Sequence, residues 1–174
     1  MILVQLLCSA LIASGPILSR LPEAIPNSGF EAEGSLLSGW DVELARGYDA
    51  VADTEQPYRG RRSALIAYRA RSGPDPRPIP SLSTRISALQ YRGRTIRVSA
   101  AVRLPAAGSG RLVVWANGAG GPREESVSFA GSEWQQVGAE IAVPDQSGII
   151  RISFEITPGN DLAVDDVTIE AVGD

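Results

Sequence analysis

An all-β fold, an antiparallel β-sandwich, is the class the sequence predicts, on three observations. Two long stretches alternate apolar and polar residues with a period of two. Turn residues separate short segments throughout. No stretch carries the 3.6-residue apolar period of a helix. In TIRVSAAVR (95–103), Ile96, Val98, Ala100 and Val102 share one face, while Arg97, Ser99 and Arg103 share the other. In IIRISFEIT (149–157), Ile150, Ile152, Phe154 and Ile156 oppose Arg151, Ser153, Glu155 and Thr157. Half-buried strands produce this pattern because successive side chains point to opposite faces.

From the N-terminus, the first element is the apolar run MILVQLLCSALIAS, followed by small residues. It is too short for a transmembrane helix, which needs ~20 residues. It fits the apolar core and cleavage zone of an export signal, although no Lys or Arg precedes it. We therefore expect a signal peptide and short linker over 1–21, a sandwich over 22–174, and a secreted or periplasmic protein with no stable membrane insertion. A buried first strand is the alternative for this run. Further strands are expected in SALIAYRA, RLVVWANG, ESVSFA and WQQVGAEIAV, which brings the total to about nine or ten at hairpin-length spacing. Between them lie PYRGRR, PAAGSGR, NGAGGPR, VPDQSG and TPGND, all rich in turn-forming residues. RSGPDPRPIP reads as an exposed loop, because strand patterns resume on both sides. The last strand is DLAVDDVTIEAV (161–172). Leu162 and Val164 share a face, but Val167 and Ile169 are in phase with Asp165, so the pattern slips at the aspartate pair. That predicts a bulge or a change of sheet, with Asp165 inward and Asp166 toward solvent.

Composition narrows the function. The chain has 174 residues, 18 of them Gly and 12 Pro, with a formal net charge of -4. Mild acidity argues against a nucleic-acid partner, which would want a basic patch. There is no histidine, which removes the commonest general base and transition-metal ligand. Cys8 is the only cysteine, so no intramolecular disulfide can form. No serine sits in a G-x-S-x-G turn. The chain is read as a non-enzyme.

Three pieces in order, NSGFEAEGSLLSGW, DTEQPYRGRRSALIAY and SEWQQVGAEIAVP with the closing LAVDDVTIEAV, resemble the carbohydrate-binding modules found beside xylanase and cellulase catalytic domains. The resemblance spans roughly residues 27 to 172 and implies a galactose-binding-like jelly roll. The middle, ISALQYRGRTIRVSAAVR, is similar to the non-catalytic domain that precedes the catalytic part of erythromycin-esterase-like secreted bacterial hydrolases. The resemblance to carbohydrate-binding modules implies packing roles for Phe30, Trp40 and Trp134. It also implies a structural calcium between the chain ends, with Glu31, Asp165 and the DTEQPYRGRR loop at the matching positions. Asp53 and Glu55 could add oxygens, which suits an ion that takes six to eight of them. The alternative is an aspartate paired with arginine or capped by amides, and Arg61 and Arg62 lie in the same loop.

The resemblance further implies glycan recognition, which calls for aromatic platforms and planar hydrogen-bonding groups. Trp115 and Asn117 share a strand face. Tyr91, Tyr68 and Tyr58 are further candidates, and Arg97 and Arg151 could reach sugar hydroxyls. Packing remains open for Trp115, since Leu112, Val114 and Ala116 also read as buried. The expectation is a non-catalytic glycan-binding module of an exported bacterial protein, with a separately encoded hydrolase as a partner. A structural or protein-interaction sandwich that has lost sugar binding is the alternative.

Overall fold

The computed structural model describes residues 25–34, 37–70, 73, 77–106 and 108–173. The expected export signal over 1–21, with Cys8, lies outside the described residues. Ten strands follow in chain order: β1 (Asp41–Glu43), β2 (Tyr48–Asp53), β3 (Ser63–Tyr68), β4 (Ser81–Ser87), β5 (Thr95–Arg103), β6 (Gly110–Ala116), β7 (Arg123–Phe129), β8 (Gln135–Ala142), β9 (Ile149–Ile156) and β10 (Leu162–Ala171). One turn of 3₁₀ helix, Leu89–Tyr91, precedes β5. The strands form two five-stranded sheets. The front sheet runs β1-β4-β9-β6-β7 and the back sheet runs β2-β3-β10-β5-β8. Every pairing is antiparallel. This is the antiparallel sandwich that the alternation predicts.

The inner faces carry the expected residues. Ile96, Val98, Ala100 and Val102 of β5 meet Leu112, Val114, Ile150, Ile152, Phe154 and Ile156 of the front sheet in one core. Phe30 and Trp40 close one end of that core: their ring centroids are 5.2 Å apart, and Trp40 lies 6.2 Å from Phe154. The indole N–H of Trp40 donates to the Pro26 carbonyl at 3.0 Å, so its polar edge is satisfied inside the apolar cluster. Trp134 departs from the expectation. It is half-buried outside the sandwich core, 5.7 Å from Tyr58, with Arg103 over its ring and its N–H bound to the Gln56 carbonyl.

The slip in β10 is a bulge. Asp165 pairs with Ala101 and Thr168 with Ser99, so Asp166 and Val167 together oppose Ala100. Asp166 holds φ at +48°, the left-handed conformation that Asp tolerates better than most residues. The extra residue puts both Val164 and Val167 on the core side. Asp165 therefore lies on the outer face of the back sheet with its pairing partner Ala101, and does not point into the core. This corrects the expected direction. Asp165 is nevertheless 0 % exposed, because the loop after β2 covers it.

Candidate functional site

The outer face of the front sheet carries the residues that alternation excludes from the core. Pairing registers align them in rows across the strands. One row reads Arg85 (β4), Arg151 (β9), Trp115 (β6) and Glu124 (β7). The next reads Ser83, Ser153, Val113 and Ser126, and the third reads Ser81, Glu155, Arg111 and Ser128. Small side chains in the middle row, between long ones on either side, make a groove across the strands. Its main cavity is about 520 Å³, lined by Arg85, Arg151, Trp115, Glu124, Val113 and Ser153 among others. A second hollow of about 270 Å³ shares Glu155 and continues past Arg111 toward Ile79 and Pro158.

The electrostatics differ between rows. Glu155 is committed: Arg111 Nε donates to its Oε2 at 2.8 Å, and the guanidinium also pairs with it at 2.7 Å. Arg85 and Arg151 form no ion pair with any described residue, although they face each other directly across β4 and β9. Arg151 Nε and Ser153 Oγ are buried with no hydrogen-bond partner among the described residues. Trp115 is half-buried, with a polar neighbour on each side.

The residues expected to contact ligand do not form one surface, and Tyr58 packs beside Trp134 away from the groove. Trp115 is in the groove. Asn117 follows it on the same face, but its Oδ1 accepts from the backbone N–H of Gly148 and Ile149, each at 3.0 Å, and from Ser147 Oγ. It therefore fastens the β8–β9 turn. Tyr91 is buried in the sandwich core, and Tyr68 is half-buried at the inner end of β3, 5.1 Å from Tyr48. Arg151 reaches the groove, whereas Arg97 lies on the back sheet, paired with Glu140. Sequence reasoning missed Arg85, Ser153 and Glu124. The available signal was the phase of SLSTRIS, which puts Ser81, Ser83, Arg85 and Ser87 on one face.

The residues expected to hold calcium meet along one loop. Asp53 Oδ1 accepts from the N–H of Glu55 and Gln56 at 3.0 and 3.2 Å, and its Oδ2 pairs with Arg103. Asp165 Oδ2 accepts from Tyr58 and Arg59 N–H at 3.1 and 2.9 Å, and its Oδ1 from Asp166 N–H at 2.8 Å. Glu31 Oε1 accepts from Arg61 and Arg62 N–H at 2.7 and 3.0 Å. Three carboxylates from three separate parts of the chain thus take three successive pairs of amides. Glu55 itself is exposed, and only its backbone takes part. This donor set does not fit calcium. The ion wants oxygens converging on one point, whereas these oxygens face N–H donors and guanidinium groups. No group of three or more acidic, His or Cys side chains converges among the described residues.

The titration of the three carboxylates follows from their surroundings. Backbone N–H from Arg61 lowers the Glu31 pKa most; modest burial opposes it, and Arg62 N–H and the Arg61 side chain add to the lowering. Burial pushes Asp53 up, but the amides of Gln56 and Glu55 together with Arg103 outweigh it, so its pKa is lowered. For Asp165 burial wins over three amides, and its pKa is raised.

No family model matches the chain, and no curated protein matches it in sequence. Solved structures do match in fold. A xylan-binding domain, the first family 22 module of a Paenibacillus barcinonensis xylanase, superposes with a TM-score of 0.60 at 15% identity, covering 84% of this chain and 93% of that one. A family 16 carbohydrate-binding module gives 0.63 at 17% identity, with 85% and 99% covered. The enzymatically active domain of tailspike protein 4 from bacteriophage CBA120 gives 0.65 at 12% identity. There the match covers 86% of this chain but only 21% of the tailspike chain. The jelly-roll sandwich of carbohydrate-binding modules is thereby the fold of this chain.

Proposed function

We propose that the chain is a non-catalytic glycan-binding module whose binding surface is the outer groove of the front sheet, centred on Trp115. The observation that carries this reading is the row Arg85–Arg151–Trp115–Glu124, which sets a half-buried indole among hydrogen-bonding side chains above a floor of small residues. An indole face offers a sugar ring apolar contact, and flanking polar groups fix its orientation. The likeness in fold to carbohydrate-binding modules supports the reading. Catalysis is not part of it. Glycoside hydrolysis calls for a pair of carboxyls flanking the bond to be cut, and in this groove Glu155 is engaged by Arg111 while Glu124 lies on the far side of Trp115. The chain has no histidine to substitute.

Affinity electrophoresis or calorimetry against a panel of polysaccharides tests the proposal. Trp115→Ala should weaken binding by about 30-fold, the equivalent of ~2 kcal/mol for a buried aromatic anchor, while leaving the melting temperature nearly unchanged. Binding that persists in the variant would move the site elsewhere. Failure of the wild type on every polysaccharide would favour the alternative, a structural or protein-interaction sandwich. Export belongs to the same reading, with a hydrolase acting on the same glycan as a partner. The mass of protein recovered from the culture medium or periplasm tests the export step.

A further inference from the structure

The groove carries a feature that a surface for neutral sugars does not need. Arg85 and Arg151 occupy directly opposed positions on adjacent antiparallel strands, where Cβ atoms lie about 4.5–5.5 Å apart and like charges are unfavourable. Neither has a carboxylate partner among the described residues. Three other strand arginines are neutralised locally, Arg97 by Glu140, Arg103 by Asp53 and Arg111 by Glu155, while Arg123 stands exposed at the start of β7. The two carboxylates that line the same cavity do not relieve the pair. Glu155 belongs to Arg111, and Glu124 lies on the far side of Trp115, next to the indole on β7. Beneath the pair, Arg151 Nε is a buried donor without an acceptor, and the neighbouring Ser153, 2 % exposed, has a buried hydroxyl equally without one. Both residues line the cavity. Buried donors left unmatched are costly. A ligand with a planar or tetrahedral anionic group seated between the two guanidinium groups would offset their repulsion.

We propose that the groove selects anionic glycans, a uronate carboxylate or a sulfate ester bridging Arg85 and Arg151 while the sugar ring lies on Trp115. The inference rests on the glycan-binding reading above. Arginine suits the role, because its fork presents parallel N–H donors to such oxygens and keeps its charge at any physiological pH. The order of residues across the sheet fits one sugar unit: charge recognition on β4 and β9, ring contact on β6, and a hydroxyl acceptor in Glu124 on β7.

The test is calorimetry of the purified protein with polygalacturonate, a sulfated galactan, neutral xylan and neutral galactan, at about 0.05 M and about 0.5 M salt. The expected result is at least about tenfold tighter binding of one anionic polymer than of its neutral counterpart, with the preference lost at the higher salt. Whether polygalacturonate or the sulfated polymer binds tells carboxylate from sulfate. Arg85→Gln, an exposed substitution, should remove most of the preference and leave residual neutral binding through Trp115. Arg97→Gln on the opposite sheet should change nothing, which separates the groove from general charge attraction. Equal, salt-insensitive binding of neutral and anionic polymers would overturn the anionic inference and leave the glycan reading standing. Binding of none of the four would overturn both.

Discussion

Asp165 is a carboxylate with no exposed surface, and three main-chain N–H groups converge on it. Removing it strands those donors beneath a loop that still has to close. An unsatisfied buried group costs about 1–3 kcal/mol. Partial opening of the loop lets water recover some of that, so Asp165→Ala should destabilise by about 3 kcal/mol in urea unfolding. Acid behaviour follows from the same residues. Asp53 and Glu31 have lowered folded pKa values. Each therefore contributes stability that is present above the ordinary carboxylate range near pH 4 and lost as pH falls through its folded value. Asp165 has the opposite sign. Its raised pKa means a contribution present below its unfolded value and lost as pH rises through the folded one. Unfolding midpoints from about pH 6 to about pH 3 should fall for the wild type, fall less for Glu31→Gln/Asp53→Asn, and fall more steeply for Asp165→Asn. Parallel profiles for all three would contradict the assignment. The phase slip at the aspartates made the bulge legible. The face did not follow, because the extra residue restores the phase for Val167 and sends Asp165 outward.

At the scale of elements, the loop from Asp53 to Arg62 is fastened by side chains from β2, from the N-terminal segment and from β10. The resemblance implies an ion at this place, and the amide pairs occupy the same oxygens. Thermal melting with and without a chelator should accordingly give the same midpoint; a clear drop in chelator would restore the ion. Gly60 is part of the fastening. It holds φ at +68°, and a Cβ there would run into the Glu31 carboxylate. Gly60→Ala should therefore loosen the loop through both strain and displacement of Glu31, costing about 1–2 kcal/mol, read as a lowered melting midpoint. Strands β5 and β9 were legible because every core position carries an apolar residue. Strand β4 was not, because Thr84 sits at a core position between Leu82 and Ile86 and breaks the apolar alternation. Its hydroxyl donates to the Gly39 carbonyl at 2.7 Å, which satisfies it there. Strand β1 is only three residues long, and half of β2 is exposed with its buried residues confined to the two ends, so neither carries a strong period.

For the whole molecule, the sandwich separates two kinds of polar chemistry. The back sheet uses its charged residues to hold the chain together, in the Asp53–Arg103 pair and the carboxylate-capped loop. The front sheet leaves Arg85, Arg151, Ser153 and Trp115 uncommitted on its outer face. Trp115 and Arg151 could be named from strand phase alone. Their association with Arg85 could not, since it depends on β4 pairing with β9 across more than sixty intervening residues in a particular register. Tyr91 shows the converse: an aromatic near a turn looks available in sequence, but its ring fills the core. Ligand is expected to bind the outer face of the front sheet. An NMR titration with xylohexaose, β-1,4-galactotriose and trigalacturonate tests it most directly. Shifts are expected only at Trp115, Arg85, Arg151 and their neighbours on β4, β6, β7 and β9. Shifts centred instead on β5, β8 and Trp134, or none with any of the three, would contradict it.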